Sequence, residues 1–433
     1  MSKNALAEGK HGSRATHIYE PGSHPGALAD RQLTLDRERT KRFPDLFVRK
    51  LQRMSSSPLA YLRGAGPLFF ELLQGQPELA EGPAGEGWIV GDMHLENFGA
   101  YRPDPLGAAD DASPKDNAKK VRFDLNDFDD AIVGPWRLDV LRLSTSLLLG
   151  GRELGANGLV ALSLCDLMLD AWARSAFDGA PLPTELPPPI VALTEQVRAR
   201  SKTALLDART AVTGGKRHFV RGPRYAELPA DVVAAVPATF AGYVAGLPDE
   251  DRPHKGSLEI VDCALRIAGT GSLGGLRIAV LVKGKGGPDG GWIFDMKEQG
   301  DPSASTLLGA PTLVPADRVT TSFRACVERP PRMLGSTTIA MDGDKLSMFV
   351  RKLSPQEDKL NLRRLKGVDL PSLATYLGAL LGSAHARAAT KVPTRWAATD
   401  LAMIRAHAIA LAGIHEAIYL NLCERMRTLL PKT

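Results

Sequence analysis

Apolar residues recur at helical spacing over much of the chain, and a single central stretch breaks that rhythm with strand-like alternation. Residues 31–80 read as helices interrupted by the Ser-Ser-Ser-Pro step at 55–58. WIVGDMHLENFGAY (88–101) is a short apolar run entering a polar loop, and VRFDLNDFDDAIVG (121–134) is a second strand and turn. The intervening 102–120, rich in Pro and Asp, is predicted to be a surface excursion. Apolar helical faces follow at 137–154 and 157–176, with further helices over about 190–212 and 230–246. From 258 to 300 the pattern becomes strand, glycine loop, strand, and a hairpin turned by KGKGGPDGG. A strand pair at 336–353 follows, and helices at 371–389 and 399–430 close the chain.

That order predicts an α+β protein of two lobes, which a length of 433 residues also favours. Four parts are expected: a disordered basic arm at 1–30, a large helical lobe at 31–255, a small β-rich lobe at 256–365, and C-terminal helices at 366–433 that complete the large lobe.

Composition changes little in this picture. The apolar share, 44%, is ordinary for a globular chain. Lys and Arg exceed Asp and Glu by five within residues 1–60, which is the whole net charge of +5. Such an arm is usually solvated, and no basic and aromatic interleaving supports a nucleic-acid module. Cys165, Cys263, Cys326 and Cys423 are scattered without metal-ligand spacing, and the N-terminus lacks an apolar signal core. Isolated, mostly apolar-flanked thiols fit a reducing cytoplasm, the expected setting, and no apolar run of membrane length is evident.

Candidate chemistry sits at four places. In GDMHLENFG (91–99), Asp92 and Asn97 lie five apart on a loop leaving a strand, the spacing of a phosphotransfer base and a metal-binding amide. His94 inside that loop reads as a hydrogen-bonding support. In FDLNDFDDA (123–131), Asp124, Asp127, Asp129 and Asp130 crowd one strand end, where mutual repulsion calls for a cation. Magnesium takes one or two carboxylates, so not every acid here can be a ligand; the expected set is Asn97, Asp127 and Asp124, and Asp130 reads as a solvated turn acid. Gly269, Gly271 and Gly274 form a GxGxxG between strands, suited to closing backbone over phosphates, and Lys297 ends the strand WIFDMKE. Arg63 reads as a partner for an acid or a phosphate, and Arg351 with Lys352 reads equally as a phosphate contact or as a solvated strand end.

Together these elements resemble the protein-kinase-like superfamily. Asp92 with Asn97 is similar to its catalytic loop, and NDFDDA to the metal segment of aminoglycoside and choline kinases. GPWRLDVLRLS (134–144) is similar to the helix that follows, with Asp139 at its acidic position. GALLGSAHARA (378–388) resembles the helix that normally runs into the catalytic loop. The small lobe comes after these loops, as though the chain were circularly permuted. The set RMSSSPLAYLRGAG, GDMHLENFG, NDFDDA, MKE, FVRKL and AHARA resembles the bacterial family filed as domain of unknown function 2252, over about residues 30–425.

The resemblance implies ATP and magnesium as cofactors and phosphoryl transfer to a hydroxyl-bearing small molecule or protein. The rivals are AMP transfer at the same site and an inactive nucleotide-binding scaffold. Two departures stand out: Val90 replaces a histidine common before Gly-Asp, and no helix glutamate is evident to pair with Lys297. Glu298 should point away from it, and Glu328 lies far along a helix.

Overall fold

The structure, a computed structural model, describes residues 24–429 except 104–120, 202, 253–257, 285–286, 356 and 392–393. The expectations for 102–120, for most of the N-terminal arm and for the hairpin tip at 285–286 therefore fall largely outside the described residues.

The chain is α+β. Its helical part is built on Arg137–Glu153, Gly158–Phe177, Leu370–Arg387 and Ala398–Leu429. Leu370–Arg387 lies closely against Gly158–Phe177 because Gly378 and Gly382, four apart, face the carbonyls of Met168 and Trp172, where a Cβ would collide. Ala398–Leu429 has the length and apolarity of a membrane span, which the pattern reading overlooked. Its Ile404, Leu411, Ile418 and Leu422 are buried within the chain, against Arg137–Glu153 and Pro25–Thr40. The latter helix begins at Pro25, inside the arm expected to be disordered, capped by the His24 ring accepting from Gly26 N at 3.1 Å.

Two small antiparallel sheets edge the helical part. In one, Glu86–Ile89 lies between Ile132–Pro135 and Ala389–Lys391; in the other, Phe98–Tyr101 lies between Arg122–Leu125 and Glu357–Lys359. Trp88 N donates to Ala388 O at 3.1 Å, so the end of the AHARA helix abuts the strand that leads to Asp92.

A six-stranded antiparallel sheet forms the β-rich part. Its order is Gly335–Met341, Asp344–Leu353, Gly287–Gln299, Arg277–Gly284, Ile260–Arg266, Tyr225–Ala226. Strand periodicity sends Phe294 and Met296 into a core with Val280, Met348, Val350 and the helix Ala230–Gly246. Asp295 and Lys297 then face the other way, toward the helical part. Helix Ala230–Gly246 and strand Tyr225–Ala226 thus pack with this sheet, although the expected lobe boundary placed them in the helical lobe. The helix expected to run to 212 ends at Arg198, apart from one short turn at Ala204–Asp207. Thr210–Thr213 and Lys216–Phe219 form a hairpin instead. The adjacent Gly214 and Gly215 adopt φ of 58° and 76°, as a tight hairpin turn requires, and this turn chemistry overrides the apolar periodicity.

Candidate functional site

The loop at 90–97 is held by one face of the helix Arg137–Glu153. Asp139, Arg142 and Ser146 are spaced three and four apart, so they align along that face. The Asp139 carboxylate, fully buried, accepts from Val90 N at 2.6 Å and Gly91 N at 2.9 Å. Arg142, equally buried, donates through Nε to Asp92 Oδ1 at 2.8 Å and through Nη2 to Leu62 O at 2.8 Å, with its guanidinium over the Phe69 ring. Leu95 N donates to Ser146 Oγ at 3.0 Å. Val90, where a histidine was the family expectation, thus contributes its backbone to the anchor.

A second layer fixes Asp139. His385 Nε2 lies 3.2 Å from Asp139 Oδ2, while Trp172 Nε1 donates to His385 Nδ1 at 3.1 Å. With Nδ1 accepting, the proton sits on Nε2 and points at Asp139. Arg387 does not reach the loop; it donates to Cys326 O.

Asn97 is 3% exposed, and its Nδ2 donates to Asp92 O at 2.6 Å, which leaves Oδ1 as its coordinating atom. Asn126 N donates to Asn97 O at 3.1 Å, joining the loop to the acidic segment. His94 Nδ1 accepts from Glu96 N at 3.1 Å and Nε2 is 3.8 Å from Asp92 Oδ2. Burial, with Arg63 and Arg142 nearby, pulls the His94 ring well below its ordinary pKa, so it is a neutral support. Arg63 pairs with Glu96.

Asp127 Oδ2 lies 3.3 Å from Lys359 Nζ. Burial alone would raise its carboxyl, but Lys297, Lys359, Arg351 and Arg277 outweigh that and hold it well below the usual range. Asp129 takes Lys297 as its ion-pair partner and accepts from Gln299 Nε2 at 2.9 Å. The lysine's acidic partner therefore comes from the acidic segment. Glu298 instead accepts from Arg42 Nη1 at 2.8 Å and Leu276 N at 2.6 Å, and Glu328 pairs with Arg122 at the surface. On the helix Pro315–Cys326, the fully buried Arg318 donates to the carbonyls of Ala131, Asp129 and Gly300 and so braces the acidic segment, while Phe323 lines the inner end of the cleft.

Two expectations need correcting. Asp124 is not brought to the cavity. It faces the opposite side of its strand, bonds Leu125 N at 2.8 Å, and has Arg387, Glu328 and Tyr101 for electrostatic neighbours. Burial pushes its carboxyl up to about 6. Asp130 is not a solvated turn acid: its Oδ1 accepts from Ser303 N at 2.6 Å.

The remaining groups meet in one cavity of about 350 Å³, lined by Asp92, Asn97, Asp127, Asp129, Lys297, Lys359, Gly269 and Gly271 among others. The glycine loop is tied down from outside: Lys50 Nζ donates to Gly271 O at 3.1 Å and Arg53 donates to Gly269 O. Gly269 needs its φ of 81°. Gly274, off the cavity, lets the loop lie against the Arg39 carbonyl. Lys359 and Lys50 were missed by sequence reading because no motif or periodicity marks them; Arg142 was legible only as Asp139 plus three.

Among the described residues no group of three or more His, Cys, Asp and Glu side chains forms a metal cage. Asn97 Oδ1 and an ionised Asp127 on one cavity wall nevertheless fit magnesium, which keeps most of its shell for water and phosphate oxygens.

An α+β protein with an acid- and lysine-lined cleft between its helical and β-rich parts is the class these features define. The chain belongs to the bacterial family DUF2252, described as an uncharacterized protein conserved in bacteria, whose sequence profile matches residues 42–418. No curated protein and no solved structure matches it.

Proposed function

We propose that this cavity binds a nucleoside triphosphate, ATP or a close relative, and transfers its terminal phosphoryl group to a hydroxyl. The observation that carries this reading is the convergence of Asp92, Asn97, Asp127 and Lys297 with Gly269 and Gly271 on a single cavity. Acids that hold magnesium are useful to phosphotransfer only beside groups that hold the same phosphates.

In the step proposed, the acceptor oxygen forms a bond to the γ-phosphorus and the bond to the β,γ-bridging oxygen breaks. ADP leaves, and the acceptor's proton passes to the Asp92 carboxylate. Arg142 keeps that carboxylate oriented, and Lys297 places a positive charge at the phosphates. Bound magnesium supplies charge neutralisation, and Asn97 and Asp127 are the residues that would hold it. The abutment of the AHARA helix on the strand before Asp92 supports a permuted kinase-like arrangement. A second reading, AMP transfer with release of pyrophosphate, is favoured by an adjoining chamber that Arg266, Arg277 and Arg351 line together with Lys297.

The test is binding and product identity. Asp127→Ala is expected to weaken magnesium-dependent ATP binding by roughly tenfold or more in a calorimetric titration. Unchanged affinity would remove Asp127 from the metal site, and absence of any ATP binding to the parent protein would defeat the nucleotide reading. Detection of ADP or of AMP transfer with pyrophosphate separates the two reactions.

A pH profile adds an independent check. Burial, aided by Asp130 and Asp127, pushes Asp92 up to about 7 despite Arg142. Burial, with Lys359 and Arg351 nearby, draws Lys297 down to about 8 despite Asp127. A base must be ionised and a phosphate clamp charged, so kcat/KM is expected to rise through about pH 7 and fall above about pH 8. A rate flat from pH 6 to 9 would detach both groups from the reaction.

A further inference from the structure

Behind Asp127 the cleft continues into a chamber of about 240 Å³, which shares Arg63, Asp127, Lys297 and Lys359 with the outer cavity. Its inner wall is the sheet face opposite the Phe294 and Met296 core. Asp295 and Lys297 are two apart on one strand and therefore share that face. Arg351 pairs across from Asp295 on the next strand, and Arg277 across from Lys297 on the other. Arg266, at the end of the strand before the glycine loop, completes the set.

Asp295 gathers these guanidinium groups. It accepts from Arg277 Nε at 2.8 Å and Nη2 at 2.5 Å, and its Oδ2 lies 2.5 Å from Arg266 Nη1 and 3.9 Å from Arg351 Nε. Burial would raise its carboxyl, but the three arginines hold it well below the usual range. Arg351 has a further acceptor in Glu357, at 2.6 Å.

One carboxylate cannot satisfy the N–H groups of three guanidiniums, each with five. The shortfall is visible. Among the described residues, Arg266 Nε and Arg63 Nε are buried without a hydrogen-bond acceptor, and Arg266 Nη1 has Asp295 Oδ2 beside it but out of hydrogen-bonding alignment. Burial also pulls the Arg266 guanidinium down to about 10. Buried donors without acceptors are costly, and a ligand with several acceptor oxygens would relieve the cost.

We propose that this inner chamber is a phosphate subsite that receives a pyrophosphate-like group, with Arg266, Arg277 and Arg351 as its donors. The proposal rests on the reading of the outer cavity as the place where phosphates meet Asp127 and Lys297. Two sources share this chemistry: the β,γ end of a nucleotide and a free inorganic polyphosphate. A nucleotide held with that end inward leaves its α-phosphate beside Asp127 and Lys297. The acceptor oxygen would then bond to the α-phosphorus, the α,β P–O bond would break, and pyrophosphate would leave as the proton passes to Asp92. That is the second reading above.

The probe is pyrophosphate, titrated calorimetrically into the full-length protein and its variants. It is expected to bind, to be displaced by ATP, and to bind tenfold or more weakly in Arg266→Gln. Arg266→Lys, which keeps the charge and loses the planar fork, should lie between the two and control for folding, with thermal melting checked for each. Failure of pyrophosphate to bind, or equal affinity in folded Arg266→Gln, overturns the subsite. If ATP still binds in an Asp127-dependent way in that case, the proposed function survives. Arg266-dependent pyrophosphate binding that ATP cannot displace supports the subsite, with inorganic polyphosphate as its source, and overturns the nucleotide reading instead.

Discussion

Asp92→Asn is expected to lower turnover by roughly 10³-fold while ATP affinity changes by no more than about threefold. The asparagine occupies the same volume and still offers an oxygen to Arg142, whose Nε donates to Asp92 Oδ1 at 2.8 Å. It cannot take a proton from an acceptor hydroxyl. Among the described residues, Asp92 Oδ2 has no partner closer than His94 Nε2 at 3.8 Å, so one oxygen is available to the reaction while the other is held in place. Product formation and calorimetric ATP binding, measured on the same preparation, decide the point. Equal losses of rate and binding would make Asp92 a metal ligand or a structural group, and full activity would remove it from the mechanism.

Asp139→Ala is expected to destabilise the protein by roughly 3–5 kcal/mol, because it leaves buried donors without their charged acceptor. The amides of Val90 and Gly91 and the His385 Nε2 would all lose their partner at a site with no solvent access. The melting temperature should fall by roughly 5 °C or more. Since those amides set the path of the chain into Asp92, any residual folded protein should also be slow. Asp139→Asn retains one acceptor and should fall between the two. A melting temperature within about 1 °C of the parent for Asp139→Ala would show that the loop is fixed by other contacts, such as Ser146 with Leu95.

Much of the candidate site could be read before any coordinates. Asp92, Asn97, Asp127 and the glycine loop carry short-range signatures: a polar loop after an apolar strand, clustered acids at a strand end, and closely spaced glycines between two strands. Period two also places Asp295 with Lys297 and Phe349 with Arg351, so one face of the sheet was implicit in DMKE and FVRKL. Asp124 went astray for the same local reason. Four aspartates in seven residues look alike on a line, and only the pairing of Arg122–Leu125 with Phe98–Tyr101 decides which of them face the cleft.

Long-range partners were not legible. Lys359 meets Asp127 across 232 positions, Arg318 reaches the Asp129 carbonyl across 189, and Glu298 meets Arg42 across 256. Each is a charged residue on an unremarkable segment, and its role depends on where distant elements dock. The same holds for the partner of Lys297: a helix glutamate was sought, and the fold brought Asp129. By itself, the sequence determined the α+β class, the chemical character of the loops and which side chains share a strand face, because these depend on neighbours within a few residues. The tertiary structure alone decided which charges meet, which donors are left without acceptors, and that the acidic loops and the lysine strand line one cavity, because those outcomes arise from packing between segments hundreds of residues apart.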